Sequence, residues 1–202
     1  SFIGLTAGLP LLAKQQFPQV DVLQFVFLGP LVGALSRAGT GWVSDKWGGA
    51  RLTFWVFVMM MLGVLGVMYF IQAASWWGFL GAFIFMFFMT GVGNASTFQM
   101  IPNIMRQEVL RLMPDLAPDA ALKQAEKESA AMVGFTSAIA AYGAFFIPKS
   151  FGSAIAATGS PMAALWGFLI FYASCAALTW FVYTRRGGLL HDIERGVDLA
   201  IP

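Results

Sequence analysis

Charged residues, histidine and cysteine are scarce in this chain. Asp, Glu, Lys and Arg make up 11% of its 202 residues, against about 25% in an ordinary soluble domain. The single cysteine, Cys175, excludes a disulfide within the chain. The single histidine, His191, and the absence of a CxxC pair leave no metal-ligand spacing. No metal and no cofactor are therefore expected.

Hydrophobic residues are abundant instead, at 58%, and they fall into long continuous runs. A helix needs about 20 mostly apolar residues to cross a bilayer, and runs of this length favour helices over barrel strands. The expected fold is all-α, a polytopic membrane protein with one truncated span and five full ones. Within a membrane unit over residues 1–184, the expected spans are 1–12, 23–43, 52–71, 76–101, 130–157 and 161–183.

Two polar segments lie outside these spans. Residues 103–129 are expected to form a cytoplasmic loop, in which Asp119–Met132 reads as a surface helix, and residues 185–202 form a polar tail. Nine of the 12 Lys and Arg residues lie on the same side of the membrane as these two segments, and Lys14 and Lys149 lie on the opposite side. The remaining one, Arg37, lies within a span and is not counted for either side. Because Lys and Arg accumulate on the cytoplasmic side, we expect a cytoplasmic C-terminus in the inner (plasma) membrane.

One cation, Arg37, lies inside the apolar run from Phe25 to Val43, and no Asp or Glu lies inside any of the apolar runs. An arginine at membrane depth costs at least about 2.5–3.5 kcal/mol and is normally retained for function. Its planar guanidinium keeps its charge and suits small oxyanions in bidentate fashion. An anionic ligand is therefore expected at Arg37.

Two spans are interrupted by small and polar residues, over Gly91–Met100 and Gly134–Gly143. Small residues let helices approach closely, and Ser, Thr and Asn can hydrogen-bond between helices, so tight packing explains much of both segments. Asn94 differs, because an amide buried in hydrocarbon without partners costs several kcal/mol. Its amide can donate to an anion, and at this stage a ligand contact and a packing contact are equally open for Asn94.

The residues resemble a known family. The segment from Gly41 to Arg51, GWVSDKWGGAR, resembles the loop signature of the major facilitator superfamily. The segments Gly91–Met100 and Gly134–Gly143 resemble the two glycine-rich signatures of the nitrate/nitrite porter family within it, the first running GVGNAS and then TFQMIP. Together with Arg37 and the stretch Phe145–Lys149, the likeness covers essentially the whole chain.

This resemblance implies the C-terminal half of a twelve-helix transporter, with the first of its six helices truncated. Because the chain opens in apolar sequence at Ser1 without a signal peptide, we expect a fragment whose N-terminal half is missing. In the family, one arginine from each half clamps the planar anion, and Arg37 falls at the position of the C-terminal half. Family members also place backbone and hydroxyl groups beside the anion, at positions that correspond to Gly134 and Ser137 here.

The resemblance also implies transport of nitrate and/or nitrite by alternating access, with nitrate/nitrite exchange first and proton-coupled nitrate uptake as an alternative. A non-transporting membrane scaffold, with Arg37 paired to a partner's carboxylate, is the other alternative. An enzyme is not expected, because no carboxylate pair or histidine lies within the spans. The expected partners are the anion, the lipid bilayer and the missing half, with no nucleic acid.

Five further residues are expected to act on conformation and helix packing. Gly91, Gly93 and Gly143 should lie where helices slide closely past each other. In the superfamily this loop latches the cytoplasmic ends of the helices, so the resemblance implies a latch at Asp45 and Arg51, although Lys46 and Arg51 could instead serve only to set the topology.

Overall fold

The computed structural model describes residues 2–114 and 117–185, except for the side chains of Asp45 and Pro118. The described part is helical and contains no strand. Its helices are α1 (Phe2–Gln16), α2 (Leu28–Gly39), α3 (Gly41–Trp47), α4 (Gly49–Gln72), α5 (Trp76–Leu112), α6 (Pro118–Thr158) and α7 (Met162–Thr179), with a 3-10 turn at Val22–Gln24 and a π turn at Trp180–Thr184. Five helical segments in this part are long and apolar enough to cross a membrane, which confirms the expected all-α polytopic fold.

The expected span over residues 23–43 is not one continuous helix. The 3-10 turn at Val22–Gln24 precedes it, and α2 begins only at Leu28, where Pro30 falls in the first turn and its missing N–H costs no helical hydrogen bond. The span breaks again at Thr40, between two glycines. The Thr40 hydroxyl donates to the carbonyl of Ser36 at 2.6 Å, a back-bond that bends helices.

The polar segment 103–129 is largely helical. Helix α5 continues past the end of the apolar run to Leu112, and α6 starts at Pro118, a residue whose fixed φ suits a first helical position. The expected surface helix over Asp119–Met132 is therefore the first part of α6. Val109 of α5 packs there with Ala121 and Ala125 of α6 in a small buried cluster of their own.

The main core lies where α4 and α5 pack together, joined by the short turn at residues 73–75. Phe79, Phe83 and Phe87 of α5 are almost fully buried there. Polar contacts also join the two helices: the hydroxyls of Thr53 and Ser96 lie 2.9 Å apart.

The remaining helices attach around this pair. Helix α2 packs on α5, and α7 packs on α4. Helix α1 packs on α6, where Gly8 leaves room for the Phe151 ring: an added Cβ would lie 3.1 Å from it. The contact with α5 therefore positions α2, the helix that carries Arg37.

Candidate functional site

Arg37 lies in the last turn of α2, and its side chain is exposed. Its guanidinium carbon lies 5.5 Å from the centre of the Phe98 ring, on α5. Among the described side chains the one ion pair joins Arg111 and Glu108, so no described carboxylate neutralises Arg37. The partial negative charge at the end of α2 stabilises the cation somewhat, but the N–H groups of the guanidinium stay available for a ligand.

The position of Arg37 depends on a close contact between α2 and α5. Gly33 and Ser36 are buried at this contact. The Ser36 hydroxyl donates across to the carbonyl of Phe88 at 3.1 Å. A Cβ added to Gly91 would collide with the Ser36 hydroxyl and would lie 3.1 Å from the backbone nitrogen of Arg37. Gly91 therefore permits the approach that holds Arg37 against α5.

Asn94 lies on the same side of α5 as this contact. Gly91, Asn94 and Phe98 are spaced at i, i+3 and i+7, and residues at this spacing share one face of a helix. The Asn94 side chain is half-buried, and its Oδ1 is buried without a hydrogen-bond partner, which costs about 1–3 kcal/mol. A 180° rotation of the amide exchanges oxygen and nitrogen, so the same position can present N–H donors to an anion.

Gly134 and Ser137 lie on α6, and both are exposed. A Cβ added to Gly134 would find open space within 4 Å. Among the described residues, no hydrogen bond or ring contact joins either of them to Arg37. The described structure therefore brings Arg37 to Phe98, and the helix spacing puts Asn94 on the same face of α5 as Phe98. Gly134 and Ser137 lie on an open surface of another helix.

Gly93 and Gly143, which were also expected at close contacts between helices, have different surroundings. A Cβ added to Gly93 would lie 2.8 Å from a methyl carbon of Val56, so α4 and α5 are close at this position. Gly143 has open space within 4 Å and borders a cavity between α6 and α7. A close helix contact at Gly143 would have to come from a segment outside the described part.

The segment between α3 and α4 packs against α5. Gly48 has a φ of 84° and caps α4, a conformation that favours glycine. Beside it lies a polar pocket of about 150 Å³, bordered by Ser44, Gln99 and Asn103 among others. Asp45 lies on α3, but its side chain is outside the described part; Arg51 is exposed in the first turn of α4.

Two features of this site were not predicted from the sequence. Phe98 carries no local signal, because its contact with Arg37 joins two different helices. The break after α2 could have been predicted from Gly39-Thr40-Gly41, because these three residues favour a helix end or kink. Within the described residues, no three His, Cys, Asp or Glu side chains are grouped so that they could hold a metal ion.

Comparison with known proteins gives three informative relatives. The chain is 45% identical to the nitrate/nitrite transporter NarU of Salmonella typhimurium over 191 residues, which cover 92% of this chain and 41% of that protein. It is 44% identical to the nitrate/nitrite transporter NarU of Escherichia coli over 193 residues, with coverage of 92% and 41%. It is 33% identical to the probable nitrate/nitrite antiporter NarK2 of Thermus thermophilus over 194 residues, with coverage of 93% and 40%.

No family model matches the chain. The chain spans 41% or less of the length of these relatives but aligns with them over nearly all of its own. The sequence signatures, the helical membrane fold and these identities agree, and the chain belongs to the nitrate/nitrite porter family.

Proposed function

We propose that this chain forms the C-terminal half of a transporter that carries nitrate and/or nitrite by alternating access, as a nitrate/nitrite exchanger. The observation that carries the proposal is Arg37, an exposed cation on a membrane helix with no described carboxylate to neutralise it. The names of the relatives, nitrate/nitrite transporter and antiporter, support the choice of anion.

The anion would bind to the guanidinium of Arg37. Two parallel N–H donors match two oxygens of a planar oxyanion. The Phe98 ring lies against the guanidinium at 5.5 Å between centres, which restricts its orientation. The Asn94 amide would donate from α5, Gly134 and Ser137 would approach from α6, and a second arginine would come from the other half of the transporter.

Exchange follows from the fixed charge of this site. An empty cationic pocket is costly to carry through an occluded, low-dielectric state, and a bound anion lowers that cost. The two halves would rock around the site, and the loaded site would reorient more readily than the empty one. Proton symport would need a titratable group at the site, and none of the described residues grouped with Arg37 provides one.

The Lys and Arg distribution supports an orientation with the C-terminus in the cytoplasm of the cell and the transporter in the inner (plasma) membrane. In that orientation, the residues between α3 and α4 and those between α5 and α6 face the cytoplasm. Nitrate and nitrite would exchange between the two sides through the cavity closed by the two halves.

Liposomes containing the full-length transporter test the proposal. Isotope-labelled nitrate is added outside liposomes loaded with nitrite, and sulfate-loaded liposomes are the control. We expect rapid nitrate uptake only with internal nitrite, and no stimulation by an inward proton gradient. Uptake into sulfate-loaded liposomes that follows the proton gradient would establish symport instead, and no uptake under any condition would favour the scaffold.

A further inference from the structure

Two adjacent residues of α5 contact the chain on either side of the break at Thr40. Phe98 lies against Arg37, before the break, with 5.5 Å between the guanidinium carbon and the ring centre. The Gln99 amide lies against Gly41, the first residue of α3, where an added Cβ would lie 3.4 Å from Nε2 of Gln99. Helix α5 therefore contacts α2 and α3 separately, through neighbouring side chains.

The contact before the break leaves little room for movement. A Cβ added to Gly33 would lie 3.2 Å from the carbonyl oxygen of Phe87, and a Cβ added to Gly91 would collide with the Ser36 hydroxyl. That hydroxyl is part of a buried residue and donates to the carbonyl of Phe88. Because closely packed groups resist displacement, we expect α2 and α5 to move together.

The contact after the break has space beside it. Ser44 of α3 and Gln99 of α5 border the same polar pocket of about 150 Å³, several times the volume of about 30 Å³ that one water occupies in the liquid. Gly39 and Gly41 flank Thr40 at the break, and glycine is a poor helix former. Helix α3 therefore has both a joint and a space that allow it to move relative to α2.

The side-chain oxygen of Gln99 is unsatisfied in the described conformation. Its Oε1 is buried and has no hydrogen-bond partner among the described residues. A buried acceptor without a donor destabilises the conformation that contains it, so a second conformation that supplies a donor gains relative stability. A hydroxyl can donate to an amide oxygen, and the hydroxyl of Ser44 belongs to the opposite wall of the same pocket.

We propose that a hydrogen bond from Ser44 to Gln99 forms in only one of the two states of the transporter. In the described conformation, the Gln99 amide lies against Gly41 and its oxygen is unpaired. In the other state, α3 turns about Thr40 across the pocket, and the Ser44 hydroxyl donates to Oε1 of Gln99. Helix α2 stays on α5, so Arg37 keeps its surroundings in both states. The proposal rests on the alternating access proposed above.

Gln99→Met removes the unpaired oxygen and keeps a side chain of similar length. The described conformation then loses its penalty and the other state loses its hydrogen bond. We therefore expect the population ratio to shift toward the described conformation by at least about fivefold. Nitrate exchange should slow, while the nitrate dissociation constant stays that of the parent. Gln107→Met, on the same helix but away from the pocket, is the control and should behave like the parent.

Ser44→Ala should shift the ratio in the same direction, because Gln99 then finds no donor in either state. Both substitutions act on one hydrogen bond, so their effects should not add. We expect the double variant Gln99→Met with Ser44→Ala to match Gln99→Met alone, which is the result that a double-mutant cycle gives for two directly coupled residues.

Distances between two spin labels in the full-length transporter measure the population ratio. Trp47→Cys in α3 and Leu112→Cys in α5 place the labels at exposed positions. Cys175 and any cysteine of the other half are replaced by serine. We expect two distances in the parent, one of which matches the described structure and dominates in Gln99→Met. Liposome exchange and nitrate binding are measured on the same variants.

Three results would overturn the proposal: a single distance in the parent, additive effects of the two substitutions, or parental exchange by Gln99→Met. Should Gln99→Met not fold, Ser44→Ala carries the same prediction, and an unchanged distance ratio in that variant would equally overturn it. A parent that shows both distances but does not exchange nitrate for nitrite would contradict the proposed function alone, and the double variant would still decide whether the hydrogen bond forms.

Discussion

A guanidinium that no carboxylate of the described residues neutralises, that of Arg37, is the centre of the proposed site. The sequence predicts a site at Arg37, because a cation within a long apolar run is rare and costly. Its immediate surroundings could not be found in this way. The contact with Phe98 and the support from Gly91 both join α2 to α5, and helix periodicity alone does not define which faces of two helices meet.

Phe98→Leu should weaken nitrate binding to the full-length transporter about twofold to fivefold. Leucine stays apolar but lacks the ring face that attracts the guanidinium, and a cation–π contact is worth about 0.5–1 kcal/mol when it is partly exposed. Isothermal titration calorimetry with nitrate measures the change. Phe88→Leu, at an exposed position of the same helix, is the control and should bind like the parent. An unchanged dissociation constant in Phe98→Leu would remove Phe98 from the site.

At the scale of helices, the apolar runs of the sequence locate the membrane spans but not the ends of the helices. The expected span 52–71 lies within α4, and the expected span 161–183 covers α7 and most of the π turn that follows it. Helices α5 and α6 extend far beyond their apolar parts. The first polar residues of a helix indicate where the hydrocarbon of the bilayer ends, but the backbone hydrogen bonds of the helix continue past them. The break at Thr40 depends on local backbone chemistry that hydropathy does not detect.

Gly91→Leu should lower the stability of the protein, whereas Gly143→Leu should leave it unchanged. The Gly91 side chain would force α2 away from α5 and displace Arg37, and such overpacking costs about 1–3 kcal/mol. Gly143 has open space around it in the described part, so Gly143→Leu should keep the parent's melting temperature. We expect both variants to lose nitrate exchange, Gly143→Leu because the opposite half of the transporter must pass close to it.

Thermal unfolding and liposome exchange, measured on the same full-length preparations, test this pair. Gly152→Leu, at an exposed glycine of α6 with open space around it, is the control and should be neutral in both measurements. Normal exchange by Gly143→Leu would disprove the close approach of the opposite half. A parental melting temperature in Gly91→Leu would show that α2 does not depend on the contact at Gly91.

At the scale of the whole molecule, the proposed transporter alternates between two states, and we propose that the segment between α3 and α4 is a latch between them. Gly48 turns the chain sharply there, and a polar pocket adjoins it. The family signature in this segment was visible in the sequence. The effect of this segment on the two states could not be predicted from the sequence. A latch acts through the difference in stability between two conformations, and one sequence encodes both of them.

Asp45→Asn should change the ratio of inward-open to outward-open transporter without changing the preferred anion. A latch can shift the equilibrium only by its difference in stability between the two states, which we expect to be a few kcal/mol at most. Single cysteines introduced on the two faces of the full-length protein, labelled from each side, measure this ratio. Equal labelling of Asp45→Asn and its parent would leave Lys46 and Arg51 with a topological role alone.

The central claim is that Arg37 binds the transported anion through its bidentate fork, and the most direct measurement is the nitrate dissociation constant of full-length Arg37→Lys. Lysine keeps the charge but loses the fork. We expect binding to weaken about 10-fold to 100-fold, the loss of one charge-assisted hydrogen bond, while membrane insertion and melting temperature stay those of the parent. Arg51→Lys, at an exposed position in the first turn of α4, should bind nitrate normally. A dissociation constant in Arg37→Lys equal to that of the parent would contradict the account.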